Sequence, residues 1–292
     1  MSITTLSIII LTHNNAAVLQ NCLQSICQNR PPRQAEDRPP FNIEVIVVAN
    51  FCQDGTAELV QANFPEVIVI ETAENEGFAR GNNRGIKVAS GDFIILLNDD
   101  TQTIDKALET LVQFMQNNPR VGITGPLLLN PDNTPQRQGG ILGKKFWKAG
   151  KPTPAPFVIG AALLIRRETL NQIGPMDENL YFYNDDLDWC MSARRAGWKV
   201  FIVPEAQIIH LGGHSTKKAF SRKHFAEGFK GGIYFCRKHY GWAAFVIYKI
   251  LLVMLLPIAI LFYTALWLTL RGNNLEKAKA FLDVLRYSVF ML

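Results

Sequence analysis

Four short apolar runs in the first hundred positions each break off into a polar cluster, and this alternation constrains the chain more than any other feature. Residues 7–11 run into THNN, residues 44–48 (EVIVV) into ANFCQDGT, residues 67–70 (VIVI) into ETAENEGFARGNN, and residues 93–97 (FIILL) into NDDT. Unbroken β-branched runs of this length are the pattern of strands covered on both faces. Between the runs, residues 16–27 set Val18, Leu19, Cys22, Leu23 and Ile26 at helical spacing, and residues 56–62, 81–89 and 105–117 also read as helices. Strand and helix in alternation predict an α/β fold with a parallel sheet. Ligands gather at the carboxyl ends of the strands in such sheets, which is where all four polar clusters fall.

Further along, Pro, Gly and Lys make residues 126–156 an expected irregular stretch. An apolar run at 158–166 (VIGAALLIR), the acidic segment NDDLDW at 184–189, a helix ending at Gly197 and a last strand at 199–203 follow. No internal repeat of useful length is visible. The segment GGILGKK at 139–145 lacks the spacing of a phosphate loop, and G-x-G-x-x-G does not occur, so neither nucleotide fingerprint is met. Five cysteines without a C-x-x-C pair argue against a disulfide framework or zinc ribbon and fit a reducing compartment. The first apolar run has no basic flank and no small-residue cleavage site, so it is expected to be a strand and not a signal peptide.

Charge is distributed unevenly. Residues 1–197 hold 17 Lys/Arg and 21 Asp/Glu, whereas residues 198–241 hold 8 and 2. Lys217, Lys218, Arg222, Lys223, Lys230, Arg237 and Lys238 crowd into one stretch against Glu227 alone. Directly after it comes the most apolar segment of the chain, the 21 residues 250–270, without one formal charge. About 20 such residues are enough to cross a bilayer. A basic stretch beside an apolar one points to an anionic membrane surface on the cytoplasmic side. Nucleic acid is disfavoured as a partner, since the basic stretch abuts an apolar span and residues 1–197 are net acidic. Pro257 is expected to divide the apolar segment, and residues 275–292 read as amphipathic. Spanning, re-entry and burial in a soluble bundle all remain compatible with this pattern.

Two acidic groups could carry chemistry. Asn98, Asp99 and Asp100 end a buried strand, where adjacent carboxylates repel one another unless a cation or donor neutralises them. One or two carboxylates plus substrate phosphates are the usual setting for Mg²⁺ or Mn²⁺. The plainer reading is a turn whose Asp and Asn cap the next helix. Asp185, Asp186 and Asp188 would open a helix, favourable to its dipole in any case. Phe182, Tyr183 and Trp189 around them suggest an aromatic rim around a general base for a hydroxylated ring. His210, at the end of an apolar run, could complete a cation site; His214 is the weaker candidate.

The ordered series LSIIILTHNN, EVIVVANFCQDGT, NEGFARGNNRGI, GDFIILLNDDT and the stretch from FVIGAALLIRR to IIHLGGHST resembles family 2 glycosyltransferases, in particular the rhamnosyltransferase-like branch of bacterial cell-envelope glycan synthesis. The resemblance implies a GT-A fold with a C-terminal apolar helical, membrane-associating segment. It divides the chain into a catalytic domain (1–216), a basic juxtamembrane segment (217–241) and a membrane-associated helical region (242–292). It implies metal-dependent inverting transfer of a sugar, rhamnose being the family's suggestion, from a nucleoside diphosphate sugar to a lipid-linked or cell-surface glycan acceptor. By the same resemblance Asp100 and His210 would hold a divalent cation, Mg²⁺ or Mn²⁺, and Asp186 would be the catalytic base with Asp185 beside it. Thr12, Asn14, Asn50, Asp54, Asn75, Gly77, Arg80, Asn83, Asn98 and Asp99 would bind the nucleotide sugar, and Tyr183, Asp188 and Trp189 would face the acceptor. The catalytic domain would face the cytoplasm. Ala49 and Asn98 stand where relatives usually carry Asp. Base recognition would then fall to Asn50, the Thr12 backbone and Arg80; the alternative is a turnover-deficient sugar-nucleotide-binding or scaffolding protein of a glycan-assembly complex.

Overall fold

The computed structural model describes residues 4–28, 41–138, 148, 150–181, 183–212, 222–270 and 273–290. They form two compact units, Met1–Asp177 with Asp186–Gly212, and Glu178–Asp185 with Gly213–Leu292. Phe182, His214, Lys217, Lys218 and the GGILGKK segment lie outside the described residues.

The first unit contains strands β1 (Thr4–Thr12), β2 (Phe41–Ala49), β3 (Ile68–Glu71), β4 (Phe93–Asn98), β5 (Thr101–Thr103), β6 (Val121–Leu129), β7 (Thr153–Pro154), β8 (Ala162–Arg166) and β9 (Lys199–His210). Helices α1 (Ala16–Gln28), α2 (Thr56–Asn63), α3 (Gly77–Val88), α4 (Ala107–Asn117), α5 (Arg167–Ile173) and α6 (Asp185–Arg195) connect them. One sheet runs in the order β3-β2-β1-β4-β8-β6-β9-β5, with β7 paired to β9. The half formed from the first hundred residues is parallel, as expected. Beyond β4 the sheet is mixed: β8 pairs antiparallel with both β4 and β6, and β5 antiparallel with β9.

Alternate residues of each strand serve opposite faces. Ile8 and Ile10 of β1 pack with Leu19, Leu23 and Ile26 of α1 and Leu111 and Met115 of α4. Ile9 turns to the other face, where Ala79 and Ile86 of α3, Leu170 of α5 and Trp189 and Ala193 of α6 close a second core. Each fully buried Ile contributes about 1.5–3 kcal/mol, which makes the two-sided strand the main cohesive element. Helix α3 approaches β1 closely: a Cβ at Gly81 would fall 2.5 Å from Leu11 Cδ1, and one at Gly85 would fall 2.5 Å from Ile9 Cγ2.

Three expectations need correction. The stretch 126–156 is not irregular at its start, because β6 continues to Leu129, buried except at Leu127. Pro126 and several glycines disguise it, and a Pro126/Leu127 register shift accommodates the irregularity. The last strand runs on to His210 and not 203, carrying Pro204 and Glu205 past a bulge-like slip.

In the second unit, α7 (Arg222–Leu270) and α8 (Asn274–Phe290) build a small helical bundle. The third correction lies here. Helix α7 breaks at Gly241 (φ 80°, ψ −174°), while Pro257 sits inside helix without dividing it. The arms 222–240 and 242–270 fold together with α8 around Ala226, Ile233, Phe245, Leu252, Leu256 and Val284. The second arm is long and apolar enough to cross a membrane by length and composition, with a mean hydropathy of 2.7 over a window only 17% buried.

Candidate active site

The register of the parallel half brings the ends of three strands level. Thr12 pairs with Ala49, and Leu11 with Asn98, so the polar clusters after β1, β2 and β4 open on the same edge. Asn50 is the hub of the first two. Its Oδ1 accepts from Thr72 Oγ1 (3.1 Å) and the Glu76 N–H (2.9 Å), while its Nδ2 donates to Asn75 Oδ1 (3.1 Å) and the Gly77 carbonyl (3.4 Å). Asn75 Oδ1 also accepts the N–H of Gly77 (3.0 Å), which opens α3 at φ 78°. Asn14, at φ 52°, accepts the Gln53 N–H at 2.7 Å and thereby ties the loop after β1 to the loop after β2. Asp54 accepts the backbone N–H of Ala16 (3.1 Å) and of Thr56 (3.2 Å). Burial acts to raise its carboxyl, but these bonds and the Thr56 hydroxyl hold it below the ordinary range. Asn83 is clamped to Met176, accepting its N–H at 3.0 Å and donating to its carbonyl at 2.9 Å. Arg80 stands exposed in the first turn of α3.

At the end of β4 the acidic residues are buried. Asp99 Oδ2 accepts from Thr12 Oγ1 (2.7 Å) and from Asn15 Nδ2 (3.1 Å). Burial nonetheless pushes its carboxyl up to about 6, with the neighbouring Asp100 adding to the push. Asp100 Oδ1 lies 3.2 Å from His210 Nε2, and Asn98 Nδ2 lies 3.4 Å from the same nitrogen. The other ring nitrogen, Nδ1, is 2.7 Å from Gln136 Oε1. Gln136 Nε2 donates to the His210 carbonyl (3.1 Å) and to Asn130 Oδ1 (3.3 Å), which fixes the amide's orientation. The Nδ1 contact therefore requires the proton on Nδ1, and the lone pair of Nε2 faces a carboxylate oxygen. Such a pairing is repulsive unless a proton or a metal ion lies between the two. One carboxylate oxygen and one imidazole nitrogen form a donor set that suits Mn²⁺ or Mg²⁺. Among the described residues no group of three or more His, Cys, Asp or Glu is placed to hold a metal, so an ion here would draw its remaining ligands from elsewhere.

The second acidic group opens α6. Asp186 accepts the Gly160 N–H through Oδ2 (3.0 Å) and the Leu187 N–H through Oδ1 (2.7 Å). Its carboxyl sits deep among packed atoms although the residue keeps some exposure, and burial raises it above the ordinary carboxylate range despite the two donors. Asp185 and Asp188 are buried, and Tyr183 is exposed at φ 67°. Trp189 is 1% exposed and donates Nε1–H to the Gly174 carbonyl at 3.0 Å. It packs in the core under α6, so the aromatic rim expected around the carboxylates does not include it.

A single dipeptide joins the two acidic groups. The Asn98 N–H donates to the carbonyl of Ala161 (2.9 Å), and the preceding residue, Gly160, donates to Asp186. Adjacent Cα atoms are about 3.8 Å apart, so the end of β4 and the Asp186 carboxylate lie on the order of 10 Å from one another. Sequence reading missed the supporting residues Asn15, Gln136 and Gly160. Only Gly160 carried a signal, a glycine inside an apolar run, which marks close backbone approach.

A sheet whose parallel half opens polar loops at the strand ends, continued by antiparallel strands, with an acidic turn after β4 and a second carboxylate at the start of α6 linked to it through Gly160 and Ala161, fits the GT-A class of nucleotide-sugar folds. The chain belongs to glycosyl transferase family 2: the family's model matches residues 7–174, and that of glycosyl transferase family group 2 matches residues 93–275. Rhamnosyltransferases are among the relatives it resembles. The chain is 28% identical over 245 residues to the N-acetylglucosaminyl-diphospho-decaprenol L-rhamnosyltransferase of Mycobacterium tuberculosis, covering 71% of this chain and 78% of that one. It is 25% identical over 187 residues to the dTDP-rhamnosyl transferase RfbF of Shigella flexneri, covering 61% of this chain and 62% of that one. Among solved structures, GalNAc-T7 with UDP, GalNAc and Mn²⁺ superposes with a TM-score of 0.60 at 19% identity, over 80% of this chain and 50% of that one, a likeness of fold. The protein is a glycosyltransferase.

Proposed function

We propose that this glycosyltransferase moves rhamnose from a nucleoside diphosphate sugar to a lipid-linked or cell-surface glycan acceptor, in one inverting displacement that depends on a divalent cation. The observation that carries the reading is the Gly160–Ala161 link, which holds two buried acidic groups of different character across a short distance. The relatives' names supply the sugar and the lipid diphosphate acceptor; the GalNAc-T7 complex supplies the parallel for a cation.

Inversion by single displacement needs a base on the acceptor side and positive charge on the leaving side. Asp186 is the base: raised above the ordinary carboxylate range, it takes the acceptor hydroxyl proton as the oxygen attacks the anomeric carbon. Asp185, Asp188 and Tyr183 serve the acceptor side. Asp100 and His210 would hold the cation, with diphosphate oxygens completing its shell, and Gln136 fixes the His210 tautomer. When bound, the ion supplies charge against the developing diphosphate. Asp99, Thr12 and Asn98 line the donor's path at the strand ends, with Asn14, Asn50, Asn75, Gly77 and Arg80 shaping the nucleotide end, while Asp54 and Asn83 act by holding its loops. Residues 1–216 would form the catalytic domain, and residues 217–241 and 242–292 the basic and membrane-associated parts, with the catalytic domain on the cytoplasmic face. Turnover of dTDP-rhamnose against other nucleotide sugars, with Mn²⁺, with Mg²⁺ and with EDTA, on a polyprenyl diphosphate acceptor, tests the reading. Rhamnosyl transfer that EDTA abolishes, with inverted anomeric configuration by NMR, is expected. Tight nucleotide-sugar binding without turnover on any acceptor would instead identify a binding or scaffolding protein, the outcome Ala49 raises.

A further inference from the structure

The C-terminal bundle carries charge at a level where a spanning helix could not tolerate it. The second arm of α7 exposes a broad apolar face, with Ile247, Met254 and Ile258 along its middle, Ile250 and Leu261 on one flank and Leu255 on the other. The arm's opposite side, Phe245, Leu252 and Leu256, is buried against the first arm and α8. Those two helices are charged beside the last third of the apolar stretch, well inside its end. Phe225 packs on Phe281 at 4.9 Å between ring centroids, and Phe281 stacks on Tyr263 at 5.5 Å. Tyr263 is about 20 Å from the start of the stretch 250–270 and about 10 Å from its end, at 1.5 Å per residue. At this level Lys277 lies over the Tyr263 ring (5.5 Å to the centroid), and one turn away Arg222 pairs with Asp283, Nη2 to Oδ1 at 2.6 Å.

Nearby, a cavity of about 590 Å³ opens between the first arm and α8, lined by Arg222, Lys223, Lys230 and Arg286 with Glu227 and Asp283. The second arm contributes nothing to that lining. One side of the bundle is therefore apolar along its length and the other is basic, separated by about one helix spacing of 8–10 Å. That is the arrangement of a helix lying in the membrane interface, apolar face at the acyl boundary and Lys/Arg at phosphate depth. A transmembrane placement would draw the Arg222–Asp283 pair and Lys277 into hydrocarbon.

Resting on the membrane association proposed above, we propose that this unit lies in the plane of one leaflet instead of crossing it, and that its basic cavity takes the phosphate of an anionic lipid. The test uses the full chain, wild type and Asn273→Cys, floated with phosphatidylglycerol and with phosphatidylcholine vesicles. Flotation with phosphatidylglycerol that weakens with added salt is expected. A membrane-impermeant maleimide should label the added cysteine at the turn before α8 from outside the vesicle, and alkaline carbonate should strip the protein. Lys230→Ala with Arg286→Ala should weaken phosphatidylglycerol binding about tenfold or more and leave phosphatidylcholine binding unchanged. Flotation with a shielded Asn273→Cys thiol and resistance to carbonate would overturn the in-plane placement while leaving membrane association intact. Equal, salt-insensitive binding to both lipids would overturn the phosphate site. No flotation at all would remove the membrane reading and this inference with it.

Discussion

The two ends of the sheet treat their carboxylates in opposite ways. At the amino ends, Glu44 of β2 accepts from Ser90 N (2.6 Å), Ser90 Oγ (3.0 Å), Gly91 N (3.2 Å) and the Ser7 hydroxyl. Burial works to raise its carboxyl, yet these donors win and hold it below 4.5. At the carboxyl ends burial wins for the two carboxylates offered to chemistry: Asp99 is pushed up to about 6 and Asp186 is raised, although each accepts two hydrogen bonds, while Asp54, which holds a loop, stays below its ordinary range as Glu44 does. A carboxylate that only holds the fold together is surrounded until its charge is comfortable. One offered to chemistry is left short of donors, and a substrate, ion or proton makes up the difference. Variants at the two ends should accordingly separate, one set losing turnover at unchanged stability and the other losing stability at unchanged turnover.

Asp186→Asn is expected to produce the largest effect, a loss of about 10²–10⁴-fold in kcat, the range for a positioned general base. Nucleotide-sugar affinity, read by calorimetry, should stay within a factor of two or so of wild type. Because the carboxyl is raised, the wild-type rate should fall as pH drops through a value above 3.8, where the base becomes protonated. An acidic limb that persists in the Asp186→Asn residual activity would take the base assignment away. Asp100→Ala should follow at about 10²–10³-fold, the cost of losing preorganised charge stabilisation. Its signature is a raised metal requirement, which Asp186→Asn should not share. Gln136→Ala comes next. Without its amide the His210 ring is free to turn, and second-shell partners of metal-binding histidines are worth about 10–100-fold in metal affinity. Saturating Mn²⁺ should restore most of its turnover, whereas it should not rescue Asp100→Ala.

How far sequence alone reaches follows the same division. Residues 7–11, 44–48 and 93–97 announce themselves because a strand buried on both faces stays apolar beyond its first position (Ser7 and Glu44 open two of the runs), and their ends place Thr12, Asn50 and Asp99 without any side-chain geometry. β6 was hidden because Gly122, Gly125 and Pro126 imitate a loop; in the sheet, a Cβ on Gly125 would meet Val158 Cγ1 at 2.3 Å. Trp189 looked like a rim residue because sequence shows neighbours along the chain and not which side of α6 faces the sheet. Gln136 carried no signal at all, since its value comes from a contact with His210, 74 positions away. Acidic pairs are legible; the groups that decide how an acid behaves are usually not.

The amino end supplies the smallest effects. Gly91→Ala would put a Cβ 2.7 Å from the Ser7 N and 2.8 Å from the Phe93 carbonyl, both backbone atoms that cannot swing aside, and should cost about 1–3 kcal/mol in unfolding free energy with turnover per folded molecule unchanged. Glu44→Gln keeps the shape and removes the charge, so the same donors meet a weaker acceptor. About 1 kcal/mol is expected at neutral pH, the net worth of an ordinary hydrogen bond. The sign with pH is set by the depressed carboxyl: its stabilisation is fully present above 4.5 and disappears as pH falls through the lower folded-state value. Wild type and Glu44→Gln should therefore differ in urea midpoint at pH 7 and converge in acid below pH 4.5, while their turnover at pH 7 stays equal. Curves that run parallel down to acid would mean that Glu44 stabilises by packing alone. The contrast between a donor-rich structural end and a donor-poor chemical end would then lose its structural half.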